Sequence, residues 1–159
     1  MRHYPYPGAF AEIAGNANYP SLHGKANFYR VPAGGVWVET EIHGLPYENM
    51  PPYSQFYGMH IHETGDCSLP FEKTGNHYNP NGMPHPEHAG DMPPLLGNKG
   101  YAYSAFYTNR FELPEIIGRS LIIHSAPDDF TTQPSGNSGV KIGCGVITNA
   151  TPYLNPFGS

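Results

Sequence analysis

The stretch from residue 35 to 43 reads Gly35-Val36-Trp37-Val38-Glu39-Thr40-Glu41-Ile42-His43. Successive side chains of a strand point to opposite faces, so one face would carry Val36, Val38, Thr40 and Ile42. The other face would carry Trp37, Glu39, Glu41 and His43. An apolar face opposite a polar one is typical of a half-buried antiparallel strand, and it puts Trp37 on the wet face.

Six further runs also predict strands, by alternation or as short apolar stretches, and helical periodicity is absent. They cover residues 11–14, 25–30, 57–62, 101–107, 121–124 and 143–147. Short strands separated by turn residues are typical of an antiparallel sandwich or barrel, so we predict an all-β fold. Residues 67–100 and 125–140 carry no strand signal, and long ordered loops are usually functional.

The composition bounds the class of protein. A length of 159 residues predicts one domain. The 19 glycines and 18 prolines indicate a loop-rich chain with a modest core, whereas 12 tyrosines, 8 phenylalanines and a net charge of only −5 oppose disorder. We expect a single domain over 1–159, with its core at about 11–148 and loose termini that include the tail 152–159.

Two kinds of partner are disfavoured. Lys and Arg together number only 8 and form no basic cluster, which argues against nucleic acid. No apolar run approaches the roughly 20 residues of a membrane span. The N-terminal run from Met1 to Pro7 lacks the apolar core of a signal peptide, so we expect a cytoplasmic location if Met1 is the native start.

Six of the 9 histidines lie in four short motifs that indicate metal binding. They are His60, His62, His77, His85, His88 and His124. With Asp91 they exceed the needs of one tetrahedral site and suit two adjacent ions that share a ligand. The other histidines, His3, His23 and His43, are interpreted as solvated or hydrogen-bonded residues.

The spacing of these residues predicts two kinds of site. His60 and His62 leave the same face of a predicted strand, and their Cα atoms would lie about 7 Å apart. With His124 at the end of another strand they offer an all-imidazole site, which suits copper. The loop segment offers a set that suits zinc: His77, His85, His88 and Asp91. His77 can belong to both sites if it uses both ring nitrogens.

The two cysteines, Cys67 and Cys144, allow two interpretations. They are too far apart in sequence for a Cys-x-x-Cys metal or redox motif. They could be separate buried thiols, or they could form a disulfide that closes a long loop and adds roughly 4 kcal/mol of stability. A persistent disulfide would favour an oxidising compartment.

Five motifs, taken together and in order, resemble those of the Cu/Zn superoxide dismutase family. They are Gly58-Met59-His60-Ile61-His62-Glu63-Thr64-Gly65-Asp66-Cys67, Gly75-Asn76-His77-Tyr78-Asn79-Pro80, His88-Ala89-Gly90-Asp91-Met92-Pro93, Gly118-Arg119-Ser120-Leu121-Ile122-Ile123-His124 and Gly136-Asn137-Ser138-Gly139-Val140-Lys141-Ile142-Gly143-Cys144-Gly145-Val146-Ile147. The short gap between His62 and Cys67 is similar to the bacterial branch. The resemblance extends from about residue 11 to 147.

The resemblance implies a role for each motif. Copper would be held by His60, His62, His77 and His124. Zinc would be held by His77, His85, His88 and Asp91, with His77 as the bridging imidazolate. Asp128 would link His60 to His85, Arg119 would brace the long loop, and Cys67 and Cys144 would form the family disulfide. The implied fold is an eight-stranded Greek-key sandwich or flattened barrel.

The implied reaction is the disproportionation of superoxide to oxygen and hydrogen peroxide, with copper cycling between Cu²⁺ and Cu⁺ and zinc in a structural role. His77 would carry a proton in this cycle. Lys141 stands where the family normally has an arginine, and we expect retained but weaker guidance of the anion. The step from His85 to His88 is shorter than usual, which predicts a strained or tightened zinc loop.

Three functions are compatible with the sequence. The leading hypothesis is an active Cu/Zn superoxide dismutase, and the alternative is a copper- and zinc-binding module on the same fold with little or no turnover. A metallohydrolase would need a carboxylate base beside a metal-bound water, for which Glu63 and Glu87 are candidates. The family allows a homodimer, and with the disulfide it favours a periplasmic, extracellular or cell-surface location.

Overall fold

The computed structural model describes residues 4–47 and 55–150, which form ten strands and two short helical turns. The strands are β1 (Ala9–Gly15), β2 (His23–Arg30), β3 (Val36–His43), β4 (Phe56–Tyr57), β5 (Met59–His62), β6 (Leu95–Leu96), β7 (Ala102–Thr108), β8 (Ser120–His124), β9 (Lys141–Val146) and β10 (Thr148–Asn149). A 3₁₀ helix covers Glu72–Thr74, and helix α1 covers Leu113–Ile116. His3 and the tail 152–159 lie outside the described residues.

The strands confirm the all-β, antiparallel prediction. One sheet has the order β5-β8-β9-β1-β2-β3-β7, with β10 added beside β1, and β4 pairs with β6 in a small second sheet. The chain crosses to the opposite edge between β3 and β5, and again between β7 and β8, as expected of Greek-key connections. These crossings bring β5 and β8, which end in histidines, side by side.

The alternation of β3 is confirmed by its burial. Val36, Val38, Thr40 and Ile42 are buried on the inner face. Trp37 on the outer face is half-buried, and its indole N–H donates to Glu39 Oε1 at 3.2 Å. The inner side chains of β3 pack with those of the other strands into one core that contains Phe28, Ile61 and Leu121.

One row of residues that pair across neighbouring strands, which we call the register row, lies on the outer face of the main sheet. Successive pairings join His60, Ile122, Cys144, Ala14, His23 and His43 across six strands. Residues that pair across a sheet point to the same face, so all of these side chains lie on the outer face. The long loop 63–94 covers the row at its β5 end, where Phe71 and Cys67 pack on Ile122 and Cys144.

Strand β6 and helix α1 are among the elements that differ from the sequence prediction. β6 lies inside the stretch expected to be loop, and its two residues pair only with β4. Helix α1 has a capping box between Glu112 and Glu115, but four residues are too few to show helical periodicity. Among the described residues, no helix is both long and apolar enough to cross a membrane.

Candidate metal centre

Strand β5 lies at an edge of the main sheet, and the long loop pairs with its free side. Tyr78 N–H donates to Ile61 O at 2.8 Å, and Ile61 N–H donates to Gly90 O at 2.9 Å. A Cβ atom on Gly90 would overlap Ile61 O, so only glycine permits this approach. The pairing places His77 opposite His62, and Asp91 opposite His60.

This arrangement forms a first cluster, which we call the strand cluster: His60, His62, His77 and His124. One nitrogen from each ring lies within 4.8 Å of the others, and all four residues are buried. His62 Nε2 and His124 Nε2 are 3.3 Å apart, and the rings of His60 and His77 stack at 3.8 Å. Two strands and one loop therefore supply a four-nitrogen set.

The second cluster, which we call the loop cluster, consists of His77, His85, His88 and Asp91. The Asp91 carboxylate is at its centre: Oδ1 is 2.7 Å from His77 Nδ1, and Oδ2 is 3.0 Å from His85 Nδ1 and 3.3 Å from His88 Nδ1. The short step from His85 to His88 still brings both rings into one set, with their centroids 5.5 Å apart. His77 is common to both clusters.

Most of these imidazoles are anchored through the nitrogen that faces away from the cluster. His60 Nε2 lies 2.7 Å from Asp128 Oδ2, and His85 Nε2 lies 2.8 Å from Asp128 Oδ1. His62 Nδ1 lies 2.9 Å from Gly75 O, and His124 Nδ1 lies 3.4 Å from Gly139 O. Each partner oxygen can only accept, so the anchored nitrogen must carry the hydrogen and the other keeps its lone pair.

The remaining nitrogens test whether a metal ion fits. Among the described residues, His60 Nδ1, His77 Nε2, His85 Nδ1 and His88 Nδ1 are buried ring nitrogens without a hydrogen-bond partner. His85 Nδ1 and His88 Nδ1 are close to Asp91, but not in hydrogen-bonding directions. Buried polar atoms are normally satisfied, and converging lone pairs that lack a proton donor are what a cation requires. Both donor sets therefore fit an ion.

Burial keeps several of these imidazoles neutral. Desolvation lowers the pKa of His60 to about 4, although Asp128 partly offsets it. Desolvation also lowers the pKa of His62 and of His124, and the neighbouring imidazoles add to the effect. Burial would raise the pKa of the Asp91 carboxyl, but the hydrogen bond with His77 and the nearby imidazoles lower it overall. Neutral imidazole and ionised carboxylate are the forms that bind metal.

We expect the metal-free protein to lose stability as the pH falls below about 6.5. The unfolded chain takes up a proton at His60 near pH 6.5, whereas the folded chain resists it until a pH of about 4. From about pH 7.5 to pH 5, this one group would cost roughly 2 kcal/mol. Urea unfolding of chelator-treated protein across this range measures the effect. A flat profile would contradict the prediction, and a His60→Asn variant should show a shallower slope.

Asp128 is the residue that joins the two clusters. It is buried, and its two oxygens contact one imidazole from each cluster. Burial alone would raise its pKa, but hydrogen bonds from His60, His85 and the Phe130 N–H lower it overall. Gly136 lies against this carboxylate with φ of 68°, and a Cβ atom there would overlap Asp128 Oδ1 and His85 Nε2. The sequence singled out the motif that contains Gly136, but not this contact.

We expect Gly136→Ala to disturb both clusters through Asp128. The left-handed backbone costs a non-glycine residue about 1–2 kcal/mol, and the new methyl group would displace the carboxylate. Metal affinity should fall at both clusters, as measured by competition with a chelator. Gly82 has a similar φ of 62° with open space around it, so Gly82→Ala is the matched control for backbone strain alone. Equal affinities for the two variants would contradict the proposed displacement.

Gln133 is a positioning residue that sequence reasoning missed. Its side-chain Oε1 accepts from His85 N–H at 2.9 Å, and its Nε2 donates to His85 O at 2.7 Å. This two-point pairing fixes the backbone of His85 from the loop 125–140. No local pattern in the sequence indicates that these two residues, 48 positions apart, are partners.

A cleft of about 430 Å³ leads to the strand cluster and is lined by His62, His77, His124 and Lys141. The Lys141 ammonium donates to Thr74 Oγ1 at 3.0 Å, to Gly75 O at 3.1 Å and to Phe71 O at 3.5 Å. Its pKa is lowered by burial. Because Gly75 O also accepts from His62, Lys141 and His62 share one anchor. Glu63 lines the cleft as well, whereas Glu87 is not among the residues that line it.

Two further contacts hold the loop on the sheet. Cys67 and Cys144 form a disulfide, so they are not separate thiols. The guanidinium of Arg119 donates to Glu63 O at 2.6 Å and lies 3.8 Å from the centre of the Tyr78 ring. The disulfide joins the loop to β9, and Arg119 joins it to the turn before β8. Both contacts lie next to the elements that contain the cluster residues.

The fold is an antiparallel β-sandwich, and its two histidine-rich clusters share one imidazole. These features are typical of a protein that binds two adjacent metal ions. Residues 22–147 match the family model for copper/zinc superoxide dismutase, and the chain belongs to this family. Copper and zinc, the metals of the family, are therefore its cofactors, as the sequence predicted.

Individual relatives agree with this membership. The chain is 38% identical over 129 residues to "Superoxide dismutase [Cu-Zn] 2" of Aquifex aeolicus, covering 71% of this chain and 72% of that protein. The crystal structure of the clock protein EA4 superposes with a TM-score of 0.76 at 28% identity, over 94% of this chain and 100% of that one. A double mutant of a SOD-like protein from Bacillus subtilis gives 0.75 at 28% identity, over 88% and 97%.

Proposed function

We propose that the chain is a superoxide dismutase, which converts two superoxide anions and two protons into dioxygen and hydrogen peroxide. The strand cluster would hold copper, the loop cluster would hold zinc, and His77 would contact both. The anchoring of the imidazoles is the observation that supports this most, because it turns unpaired nitrogens toward each cluster. When bound, copper supplies one-electron chemistry by alternating between Cu²⁺ and Cu⁺, while zinc does not change its charge.

His77 is the residue we propose to handle the proton. Asp91 holds its Nδ1 at 2.7 Å, while its Nε2 is buried without a partner on the side of the strand cluster. His77 also lines the cleft, so a proton on Nε2 would lie beside an anion that enters there. His77 Nδ1 faces Asp91 in the loop cluster, so His77 would be held there as a zinc ligand, which keeps Nε2 directed to the same place when its proton is lost and regained.

Lys141 is the residue we propose to attract the substrate. The net charge of −5 is unfavourable for an anion, so a local positive charge in the cleft has to guide it. A positive charge that lines a cleft raises the local concentration of an anion and the rate at which it associates. The three hydrogen bonds of Lys141 hold its charge beside His62 and His124.

We expect Lys141→Gln to slow superoxide decay by roughly tenfold, because a single focused charge is lost at the cleft. Lys141→Arg should keep most of the rate, and the salt dependence of the rate should weaken in Lys141→Gln only. Pulse radiolysis at several ionic strengths measures both quantities. Lys73 is exposed and lies 4.0 Å from Asp66, so Lys73→Gln serves as the matched control. Equal losses in both glutamine variants would argue against guidance by Lys141.

A metal-binding protein with little turnover is the second candidate function. One observation favours it: the Lys141 ammonium donates to three loop oxygens, which is as many donors as it has. A lysine committed to the loop would hold His62 in place but attract an anion less well.

Metal analysis combined with a superoxide-decay assay separates the two candidates. An active enzyme should contain copper and zinc and should lose activity in His124→Gln in proportion to the copper it loses. Protein that is fully loaded with copper but inactive would instead establish the binding module. Protein that binds neither metal would overturn both proposals.

A further inference from the structure

We propose that His23, His43 and Glu41 form a separate surface site for one borderline divalent cation, with Cu²⁺ as the ion it binds best. We call these three residues the outer-face site. They lie on β2 and β3, away from the part of the outer face that the long loop covers. From the sequence, His23 and His43 were interpreted as solvated or hydrogen-bonded residues. The proposal adds metal binding to that interpretation.

The sheet register brings the two histidines together. His23 pairs directly with His43 across β2 and β3, and their rings stack with centroids 5.2 Å apart and planes inclined by 12°. The His43 ring also contacts the Tyr101 ring, at 5.1 Å. Both histidines are exposed, so solvent leaves room for the side-chain rotations that would turn the two ring edges toward one ion.

Local hydrogen bonding prepares His23 as a ligand. Its Nδ1 lies 2.9 Å from Ser21 O, which can only accept. Nδ1 therefore carries the hydrogen, and Nε2 keeps its lone pair. A backbone carbonyl that fixes the tautomer in this way is a common partner of metal-binding histidines.

Acidic groups add an oxygen donor and negative charge. Glu41 Oε1 lies 3.4 Å from His43 Nε2, and Glu12 lines the same shallow depression. Lys25 is the positively charged residue that lines this depression. Its ammonium lies 4.7 Å from the centre of the ring of Phe10, a residue of the neighbouring strand β1. Two imidazoles and a carboxylate suit Cu²⁺ or Zn²⁺, and the Irving–Williams order favours Cu²⁺.

The outer-face site is distinct from the clusters described above. His23 and His60 lie in the same register row but are separated by the intervening strands β1, β9 and β8. Strands are spaced by about 4.8 Å, so four steps place His23 roughly 19 Å along the sheet from His60. No residue is common to the outer-face site and the two clusters, so an ion at the outer-face site leaves the buried donor sets unchanged.

Equilibrium dialysis against Cu²⁺ alone tests the proposal on the full-length, metal-loaded protein. The double variant His23→Gln/His43→Gln should bind one Cu²⁺ fewer per chain than the parent at the same free concentration. Glu41→Gln should bind more weakly but keep the stoichiometry. His3→Gln is the matched control for the loss of one histidine elsewhere, and it should bind as the parent does.

A paramagnetic NMR measurement locates the ion. Added Cu²⁺ should broaden the resonances of residues 23–25 and 41–43 in the parent and not in the double variant. Equal copper binding by the parent and the double variant would overturn the proposal, as would loss of the extra ion in His3→Gln. The comparison is between variants at one surface, so it does not depend on whether the protein disproportionates superoxide.

Discussion

Replacing Asp128 by asparagine should lower the metal affinity of both clusters by about 10- to 100-fold, the usual effect of removing a residue that orients metal ligands. The carboxylate accepts from His60 Nε2 at 2.7 Å and from His85 Nε2 at 2.8 Å. An asparagine side chain has one acceptor oxygen and one NH₂ donor. One of the two imidazoles would therefore face a donor, and would have to change its tautomer or its orientation.

The double effect is what distinguishes this variant. Chelator competition should show weaker binding of both copper and zinc. A defect confined to one cluster should weaken the binding of one metal only. Asp66→Asn is the matched control, because the Asp66 carboxylate accepts from Ser68 N–H at 3.0 Å and contacts no imidazole of either cluster. Unchanged affinities in Asp128→Asn would show that Asp128 does not position the ligands.

Removal of the disulfide, in the double variant Cys67→Ala/Cys144→Ala, should lower the free energy of unfolding by roughly 4 kcal/mol. The cross-link closes a loop of 77 residues, which limits the conformations of the unfolded chain. The core of this protein is modest, so a loss of this size would be a large part of the roughly 5–15 kcal/mol typical of folded domains.

Urea unfolding of the metal-free protein measures the loss, because bound metal would add its own stabilisation. The parent under reducing conditions should unfold at nearly the same urea concentration as the double variant, since both lack the cross-link. If the oxidised parent also unfolds there, the disulfide does not stabilise the chain. Ser68→Ala, next to Cys67, controls for substitution in the same loop.

Sequence periodicity was sufficient for most of the strands, and local motifs identified most of the candidate donor residues. The alternation of Val36 to Ile42 predicted which face is buried, and the spacing of His60 and His62 predicted that both leave one face. The grouping of His77 with His85, His88 and Asp91 also follows from local sequence. These features depend on residues that are near one another in the chain, or on a simple strand period.

The anchors of the site could not be predicted in the same way. Gln133 recognises the backbone of His85, and Lys141 shares the Gly75 carbonyl with His62. Such contacts depend on where two loops meet, and a backbone carbonyl has no signature in the sequence. The choice of ring nitrogen is likewise set by these partners, so it is visible only in the folded chain.

The pairing of the long loop with β5 has a consequence for solubility. A free sheet edge exposes unpaired N–H and C=O groups, to which another chain can add a strand. Here the backbone around Tyr78 and Gly90 occupies those groups on Ile61, and the same loop carries the four side chains of the loop cluster. Any state in which the loop detaches would therefore expose the unpaired backbone groups of β5, to which a second chain could add a strand.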